Sequence, residues 1–333
     1  MPAATTAPMD RLQIVTVPQP QRLPSFAEDV AAGLGARPKK LNSKYFYDAV
    51  GSALFDAITQ LPEYYLTRAE TAILQEWGWE IVRALGNPVE FVELGSGSAA
   101  KTRILIEEAL RVQRALRYSP IDISAEALRA SASALVESYP ELRVRGYVGD
   151  YFSILDTPHL QRAEKMLVMF MGSNIGNYEP AEATALLARV AALLKPGDGL
   201  LLGADLKKER RDLMRAYDDD AGVTAAFNKN LLARINRELQ ADFDVKQFDH
   251  VVEYEEATGG LHSYLAARSE QNVTIGQSGA RVHFDAGERI HTESAYKYSL
   301  EGIADMASAA GLSVSRTWLD AGKRFSVNLL VRA

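Results

Sequence analysis

Two glycines and two acidic residues, each placed after an apolar segment, are the strongest candidates for binding a small ligand. The sequence Val-Glu-Leu-Gly-Ser-Gly contains Gly95 and Gly97, which allow a sharp backbone turn and a close approach to a ligand. Asp122 ends the next apolar segment, and Asp150 with Tyr151 follows the one after that. A carboxylate in this position can accept hydrogen bonds from ribose hydroxyls. Asp150 could accept from an adenine amino group, and Tyr151 could lie against the ring.

The glycine turn favours a nucleoside that carries no pyrophosphate. The dinucleotide fingerprint G-x-G-x-x-G requires a third glycine, and this chain has Ala100 at that position. S-adenosylmethionine is a nucleoside of this kind, so we expect it as the cofactor. An ordinary turn between strand and helix would show the same two glycines, and the acidic residues after the following strands make that alternative weaker. A nicotinamide dehydrogenase is also disfavoured, because no clear acid for hydride transfer is present.

A polar loop with the sequence Gly-Ser-Asn-Ile-Gly-Asn, residues 172–177, follows a fourth apolar segment. A methyl acceptor would lie here beside the sulfonium, where backbone carbonyls and an Asn side chain can contact an amine or a carboxylate. The alternative is a loop that only stabilises itself through local Asn and Ser hydrogen bonds.

A parallel sheet is needed to bring these loops to one edge. Short apolar segments alternate with helical ones, which is typical of strands covered on both faces. The predicted fold class is α/β: a Rossmann-like, doubly wound domain ending in an antiparallel hairpin, plus a smaller α+β lobe. The predicted division is a disordered leader at 1–21, a substrate-binding lobe at 22–70 and 207–297, and a cofactor-binding domain at 71–206 and 298–333.

The composition excludes several classes of protein. The 333 residues are 47% apolar and 24% charged, with no cysteine and a net charge of −6. No apolar run reaches the roughly 18–20 residues of a membrane span, and no basic stripe offers itself to nucleic acid. The five histidines lack metal-ligand spacing. We therefore expect a cytoplasmic, monomeric protein that binds a small molecule and no metal.

Many segments from about Leu41 to the C-terminus resemble the histidine Nα-methyltransferases of ergothioneine biosynthesis. The resemblance implies a Rossmann-like domain that binds S-adenosylmethionine, a separate substrate lobe, and trimethylation of histidine to hercynine. The matching segments are residues 45–52, 61–65, 92–97, 172–177, 216–219, 221–228 and 291–293.

The resemblance also assigns roles to single residues. Tyr47 and Asn177 are implied as catalytic residues. The residues implied to contact S-adenosylmethionine are Tyr47, Gly95, Gly97, Lys101, Asp122, Asp150 and Tyr151. The residues implied to contact the amino acid are Tyr64, Gly172, Asn177, Tyr217, Ser263, Glu293 and Ala295. Among these, Asn177 and Tyr217 would hold the amino and carboxylate end, and Glu293 would receive the imidazole.

Two positions depart from the family pattern and concern the substrate's side chain. Ser263 stands where the family has Met, and Ala295 stands where it has Ser. Another aromatic amino acid or amine, such as tryptophan or tyrosine, is therefore an alternative acceptor. Glu293 favours histidine, because an indole has only one N–H and no cation to offer a carboxylate. A non-catalytic protein that keeps the nucleoside site is the remaining alternative.

Overall fold

The protein consists of two compact units that share one chain. The computed structural model describes residues 8–17, 24–155, 160, 162, 164–276 and 279–332. One unit takes Met1–Arg22, Arg68–Leu206 and Tyr298–Ala333, and we call it the large-sheet unit. The other takes Leu23–Thr67 and Lys207–Lys297, and we call it the small-sheet unit.

The described residues form the following strands and helices. The strands are β1 Leu12–Thr16, β2 Lys39–Lys40, β3 Val89–Leu94, β4 Leu116–Asp122, β5 Leu142–Val148, β6 Lys165–Phe170, β7 Gly199–Asp205, β8 Phe248–Glu255, β9 Gly260–Ala267, β10 Gln271–Ile275, β11 Ala280–Phe284, β12 Arg289–Tyr296, β13 Leu312–Leu319 and β14 Phe325–Arg332. The helices are α1 Phe26–Gly35, α2 Ala49–Gln60, α3 Leu66–Arg83, α4 Thr102–Val112, α5 Ala125–Ser138, α6 Tyr151–Leu155, α7 Pro180–Leu193, α8 Arg210–Tyr217, α9 Val223–Leu239 and α10 Leu300–Ala309. None of these helices is long and apolar enough to cross a membrane.

The large-sheet unit is built on one eight-stranded sheet in the order β1-β5-β4-β3-β6-β7-β14-β13. Strands β1 to β7 in this sheet run parallel, and β14 and β13 are added antiparallel at one edge. The predicted α/β fold with a C-terminal antiparallel hairpin is therefore confirmed. The strand order reverses between β3 and β6, and the crevice at such a switch point is where doubly wound folds bind ligands.

Burial on both faces explains why the central strands are apolar along their whole length. Every residue of β3 and of β7 is buried. In a sheet covered by helices on both sides, neither set of alternating side chains reaches water, so the usual alternation of polar and apolar residues disappears. The core on one face includes Val92, Val168, Leu200, Leu187 and Ile303.

The prediction of a disordered leader at 1–21 is wrong for residues 8–17. Residues Leu12–Thr16 form β1, which pairs in parallel with β5 from Leu12 opposite Val144 to Thr16 opposite Val148. The guanidinium of Arg11 donates to the carbonyl oxygens of Tyr139 at 2.8 Å and Val136 at 2.8 Å, at the end of α5. The pairing with β5 and the hydrogen bonds of Arg11 hold this segment at the edge of the sheet. The rest of the predicted leader, 1–7 and 18–21, lies outside the described residues.

The small-sheet unit packs helices against a four-stranded sheet in the order β2-β12-β9-β8. A hairpin turn joins β8 and β9, and Gly259 adopts the left-handed φ of +78° that it requires. A separate two-stranded hairpin is formed by β10 and β11. Apolar residues of α9, β9 and β12 share one core, which includes Leu231, Ile235, Leu265 and Ile290.

A bulge in β12 determines which of its side chains face this core. The pairing with β9 shifts between His291 and Glu293, so that His291 lies opposite Tyr264 and Glu293 lies opposite Ser263. Thr292 is the extra residue, and its hydroxyl donates to the Ser263 carbonyl oxygen at 3.0 Å. Because directly opposed residues point to the same face, Glu293 shares the face of Ser263.

Candidate active site

The glycine turn after β3 holds the carboxylate that ends β4. Gly95 and Gly97 both adopt left-handed backbone conformations, with φ of +73° and +49°. The Gly97 N–H donates to Asp122 Oδ2 at 2.8 Å, and the Ser124 N–H donates to Oδ1 at 2.8 Å. The structure therefore brings together three of the residues predicted for the cofactor, Gly95, Gly97 and Asp122.

The same turn has room and an unsatisfied donor for a ligand. The Ser96 hydroxyl is buried and has no hydrogen-bond partner among the described residues. A Cβ placed on Gly97 would meet no atom within 4 Å. Buried polar groups without a partner in the protein are uncommon, and binding of a ligand or water is one usual reason for them. These residues fit S-adenosylmethionine, which offers ribose hydroxyls and an amino-acid end but no phosphate.

Asp150 and Tyr151 lie at the end of the neighbouring strand β5. The Gly149 N–H donates to the Asp122 carbonyl oxygen at 3.0 Å, which links the ends of β4 and β5. Tyr151 begins the short helix α6, and its ring centroid lies 5.8 Å from that of Phe170. Its hydroxyl is hydrogen-bonded to that of Tyr178, and burial raises the pKa of Tyr151 above its usual value.

A buried glutamate that sequence reasoning missed connects two of the predicted residues. Glu70 of α3 is 1% exposed, and it accepts the Gly172 N–H at 2.8 Å and forms an ion pair with Lys101. A Cβ on Gly172 would lie 3.4 Å from Lys101 Nζ, so these two residues are neighbours. A Cβ on Gly203 would overlap Glu70 Oε1, which means that the glycine in β7 is needed to seat this carboxylate.

The loop after β6 places Asn174 beside Gly172. Gly172 and Ser173 have φ of +77° and +58°, and the Ser173 hydroxyl accepts the Asp205 N–H at 2.9 Å. A Cβ on Gly172 would lie 3.6 Å from the amide nitrogen of Asn174. Asn177 is exposed and its side chain makes no hydrogen bond with another described residue. Within this unit, Asn174 is therefore the loop amide that lies beside Gly172.

The glutamate of the Glu-Leu-Gly-Ser-Gly segment is part of the buried support for the turn. Glu93 accepts hydrogen bonds from the hydroxyls of Tyr118 and of Thr102, the latter at 2.7 Å. Burial raises the pKa of Glu93 to about 7, although these two donors oppose the shift. Across the residues that the structure describes, no three Asp, Glu or His side chains are grouped as metal ligands.

In the small-sheet unit, a row of aromatic rings connects three of the predicted tyrosines. The Tyr47 ring lies 5.6 Å from that of Phe55, and Phe55 lies 6.1 Å from Tyr64. Tyr64 in turn lies 6.3 Å from Tyr217, all measured between ring centroids. The contacts along this row are edge-to-face, a favourable geometry for aromatic pairs. The structure thus brings Tyr47, Tyr64 and Tyr217 together.

A buried lysine, also missed from the sequence, contacts Tyr217 and acts electrostatically on Glu293. Lys297 is 2% exposed, donates to the Tyr217 hydroxyl at 2.7 Å, and lies 4.4 Å from the centre of that ring. Burial raises the pKa of Glu293 to about 7, while the Lys297 cation opposes the shift. Tyr47 is half exposed as a whole residue. Burial of its phenol, and then the charge of Glu293, raise the pKa of that phenol.

The two positions that depart from the family pattern lie beside Glu293. Ser263 is directly opposite Glu293 across the β9–β12 pair, and Ala295 is two residues along the same strand, opposite Leu261. Both side chains are buried. The small-sheet residues predicted for the amino acid therefore form one connected group with Tyr47 and Lys297.

Comparison with known proteins identifies the family of this chain. Residues 26–332 match the model of a family described as histidine-specific, S-adenosylmethionine-dependent methyltransferases. This chain belongs to that family. It is an S-adenosylmethionine-dependent methyltransferase, as the sequence predicted. The histidine N-alpha-methyltransferase of Mycolicibacterium smegmatis is 44% identical over 309 residues, which cover 92% of this chain and 95% of that protein.

Two further relatives show how the family varies. Ergothioneine biosynthesis protein 1 of Neurospora crassa is 30% identical over 301 residues, or 89% of this chain and 33% of that longer protein. The 4-dimethylallyltryptophan N-methyltransferase of Claviceps purpurea is 25% identical over 319 residues, or 90% of this chain and 92% of that protein. These relatives are thus named for different acceptors, histidine in one name and a tryptophan derivative in another.

Proposed function

We propose that this methyltransferase transfers three methyl groups to the α-amino nitrogen of L-histidine and forms hercynine, as in ergothioneine biosynthesis. The observation that carries the proposal is that the Glu293 carboxylate lacks a hydrogen-bond partner among the described residues. Lys297 and the Tyr47 phenol are nevertheless close enough to act on it electrostatically. An acceptor without a partner suits a substrate that supplies an imidazole N–H.

The large-sheet residues are proposed to hold the cofactor. Asp122 would accept the ribose hydroxyls, since Gly97 and Ser124 already fix both of its oxygens. Asp150 and Tyr151 would contact the adenine. Lys101 would contact the carboxylate of the cofactor's amino-acid end, with Glu70 holding its ammonium in place. The cofactor role of Tyr47 stays a prediction.

The small-sheet residues are proposed to hold the amino acid. Tyr217 would contact its carboxylate, and the buried Lys297 beside that phenol would stabilise negative charge there. Tyr64 would form an aromatic wall next to Tyr217. Glu293 would accept the imidazole N–H, with Ser263 and Ala295 beside it. The substrate roles of Gly172 and Asn177 in the other unit stay predictions.

The chemistry requires alignment and a neutral amine more than a strong base. S-adenosylmethionine, when bound, supplies a methyl group on a sulfonium, and displacement of the sulfur is in line with the attacking nitrogen. The amine loses one proton before each of the three transfers, and the product keeps a permanent positive charge on nitrogen. Aromatic faces such as those of Tyr47 and Tyr64 accommodate a methylated ammonium well.

A different aromatic amino acid is the second candidate acceptor. Ala295 offers no polar atom beside Glu293, and a relative with 25% identity is named for a tryptophan derivative. A larger ring could occupy the space that a small residue leaves. Glu293 argues against this candidate, because its carboxylate finds a weaker partner in an indole than in an imidazolium.

Mass spectrometry of the product tests the proposal. We expect the purified protein, given S-adenosylmethionine and histidine, to yield a product three methyl groups heavier together with S-adenosylhomocysteine. Binding of the cofactor in calorimetry with no methyl transfer to any of the twenty amino acids would contradict it. A monomeric state and a cytoplasmic location also stay predictions, to be checked by light scattering and cell fractionation.

A further inference from the structure

Two polar groups face each other across β9 and β12 and make no hydrogen bond in this structure. The Ser263 side chain is 0% exposed, and its hydroxyl has no hydrogen-bond partner among the described residues. The Glu293 carboxylate, directly opposite in the register, also makes no hydrogen bond with a described residue. A buried hydroxyl without a partner lowers stability, so a site that keeps one needs an explanation.

The strand geometry places these two groups within reach of each other. Directly opposed residues of an antiparallel pair have Cβ atoms about 4.5–5.5 Å apart, and they point to the same face. The Thr292 hydroxyl bridges the Ser263 carbonyl oxygen and Asn228 Oδ1, at 3.0 and 2.8 Å, which fixes the bulge beside this pair. A rotation about the Ser263 Cα–Cβ bond can therefore bring its hydroxyl toward a Glu293 carboxylate that leans across the pair.

The neighbours of Glu293 do not replace this hydroxyl. Ala295, the next residue of β12 on the same face, has no polar side-chain atom. Ser294 points to the opposite face, where its hydroxyl lies 3.0 Å from ring nitrogens of both His262 and His291. The charged or titratable groups that act on Glu293 are Tyr47 and Lys297, which is the residue directly after β12.

We propose that Ser263 is a positioning residue for Glu293: its hydroxyl donates to the ionised carboxylate and fixes it for the substrate's ring N–H. This proposal rests on the proposed function for the identity of the ring. Ser263 is closed to solvent, which suits a residue that acts through Glu293 rather than one that contacts the substrate. Histidine specificity would then depend on a serine in β9 although β12 carries alanine at position 295.

Steady-state kinetics of Ser263→Ala and Ser263→Thr, each also combined with Glu293→Gln, tests the proposal. We expect Ser263→Ala to raise the KM for histidine about tenfold, with kcat and the KM for S-adenosylmethionine unchanged. Ser263→Thr keeps the hydroxyl and should restore the KM. In the Glu293→Gln background, removing the Ser263 hydroxyl should have little further effect. An equal loss in both backgrounds, or no loss in either, would overturn the proposal.

A second measurement does not depend on the substrate. Carbon NMR of the ligand-free protein, with Glu293→Gln used to assign the signal, reports the titration of the Glu293 carboxyl group. Loss of a donor to the ionised form should raise its pKa in Ser263→Ala and not in the control Ser294→Ala. An unchanged Glu293 titration in Ser263→Ala contradicts the proposal. If the wild-type enzyme does not methylate histidine but Ser263→Ala still raises the Glu293 pKa, the proposed substrate is wrong. The hydrogen bond between Ser263 and Glu293 would then still be supported.

Discussion

The carboxylate of Glu70 accepts the backbone N–H of Gly172 at 2.8 Å and so ties helix α3 to the loop that follows β6. The same carboxylate is paired with Lys101, which lies just before α4. One buried acid therefore fixes two segments at the point where the strand order of the large sheet reverses. Any ligand bound in that crevice would meet a loop and a cation whose positions Glu70 determines.

Replacing Glu70 should damage stability as well as cofactor binding. Glu70→Ala leaves the Gly172 N–H without its acceptor and the Lys101 ammonium without its anion. We expect the free energy of unfolding to fall by about 3 kcal/mol, measured by urea titration. Glu76→Ala removes an exposed glutamate from the same helix and should change it by less than about 0.5 kcal/mol. Equal stabilities of the two variants would show that the Glu70 contacts are unimportant.

Loss of Asp122 should lower the affinity for the cofactor. Asp122→Ala removes the carboxylate that the Gly97 and Ser124 amides orient. We expect the Kd for S-adenosylhomocysteine in calorimetry to rise about tenfold or more, because a charge-assisted hydrogen bond is lost.

A matched control for Asp122→Ala lies two residues away. Ser124→Ala removes only the hydroxyl that accepts the Ala127 N–H at 3.2 Å at the start of α5, and it should lower stability by about 1 kcal/mol. Its Kd should equal that of the wild type. If Asp122→Ala also binds S-adenosylhomocysteine as tightly as the wild type, the assignment of Asp122 to the cofactor is wrong.

Glu293 should make stability depend on pH in a predictable direction. Its pKa in the folded protein is raised to about 7 from an ordinary value of 4.5, so the folded state binds its proton more tightly than the unfolded state. The associated stability is complete below pH 4.5 and is lost as the pH rises through about 7. The wild type should therefore lose about 1–3 kcal/mol relative to Glu293→Gln between pH 4.5 and pH 8.

Urea titrations of both proteins across this pH range make the comparison. Using Glu293→Gln as the reference cancels the titration of Glu93, which burial also raises to a pKa of about 7. A difference between the two proteins that stays constant with pH would contradict the assigned environment of Glu293, in which Lys297 and Tyr47 are the nearby charged or titratable groups.

The large sheet was largely predictable from the sequence because its central strands are buried on both faces. The apolar segments before the glycine turn and before Asp150 were predicted as strands, and the structure shows them as β3 and β5. Strand β1 was missed because its five residues lie in a leader rich in Pro, Thr and Gln, and only pairing with β5 reveals it. The composition of the segment indicated a disordered leader and hid the short edge strand.

The candidate site was predictable only where glycines, or polar residues directly after an apolar segment, indicate a ligand-binding loop. Strand β12 was not predicted, because its small and polar residues and its bulge at Thr292 interrupt the alternation that identifies a strand. Lys297 follows the last residue of that strand, and without the strand the sequence gave no reason to pair it with Glu293. Glu70 had no signal, since a glutamate on an amphipathic helix is usually exposed.

A competition between amino-acid acceptors measures directly whether this methyltransferase selects histidine. The protein is given labelled S-adenosylmethionine with an equimolar mixture of histidine, tryptophan and tyrosine, and the label in each product is measured by chromatography and mass spectrometry. We expect the label to appear in mono-, di- and trimethylated histidine and the other two amino acids to stay unlabelled. Label in tryptophan or tyrosine with histidine untouched would contradict this expectation.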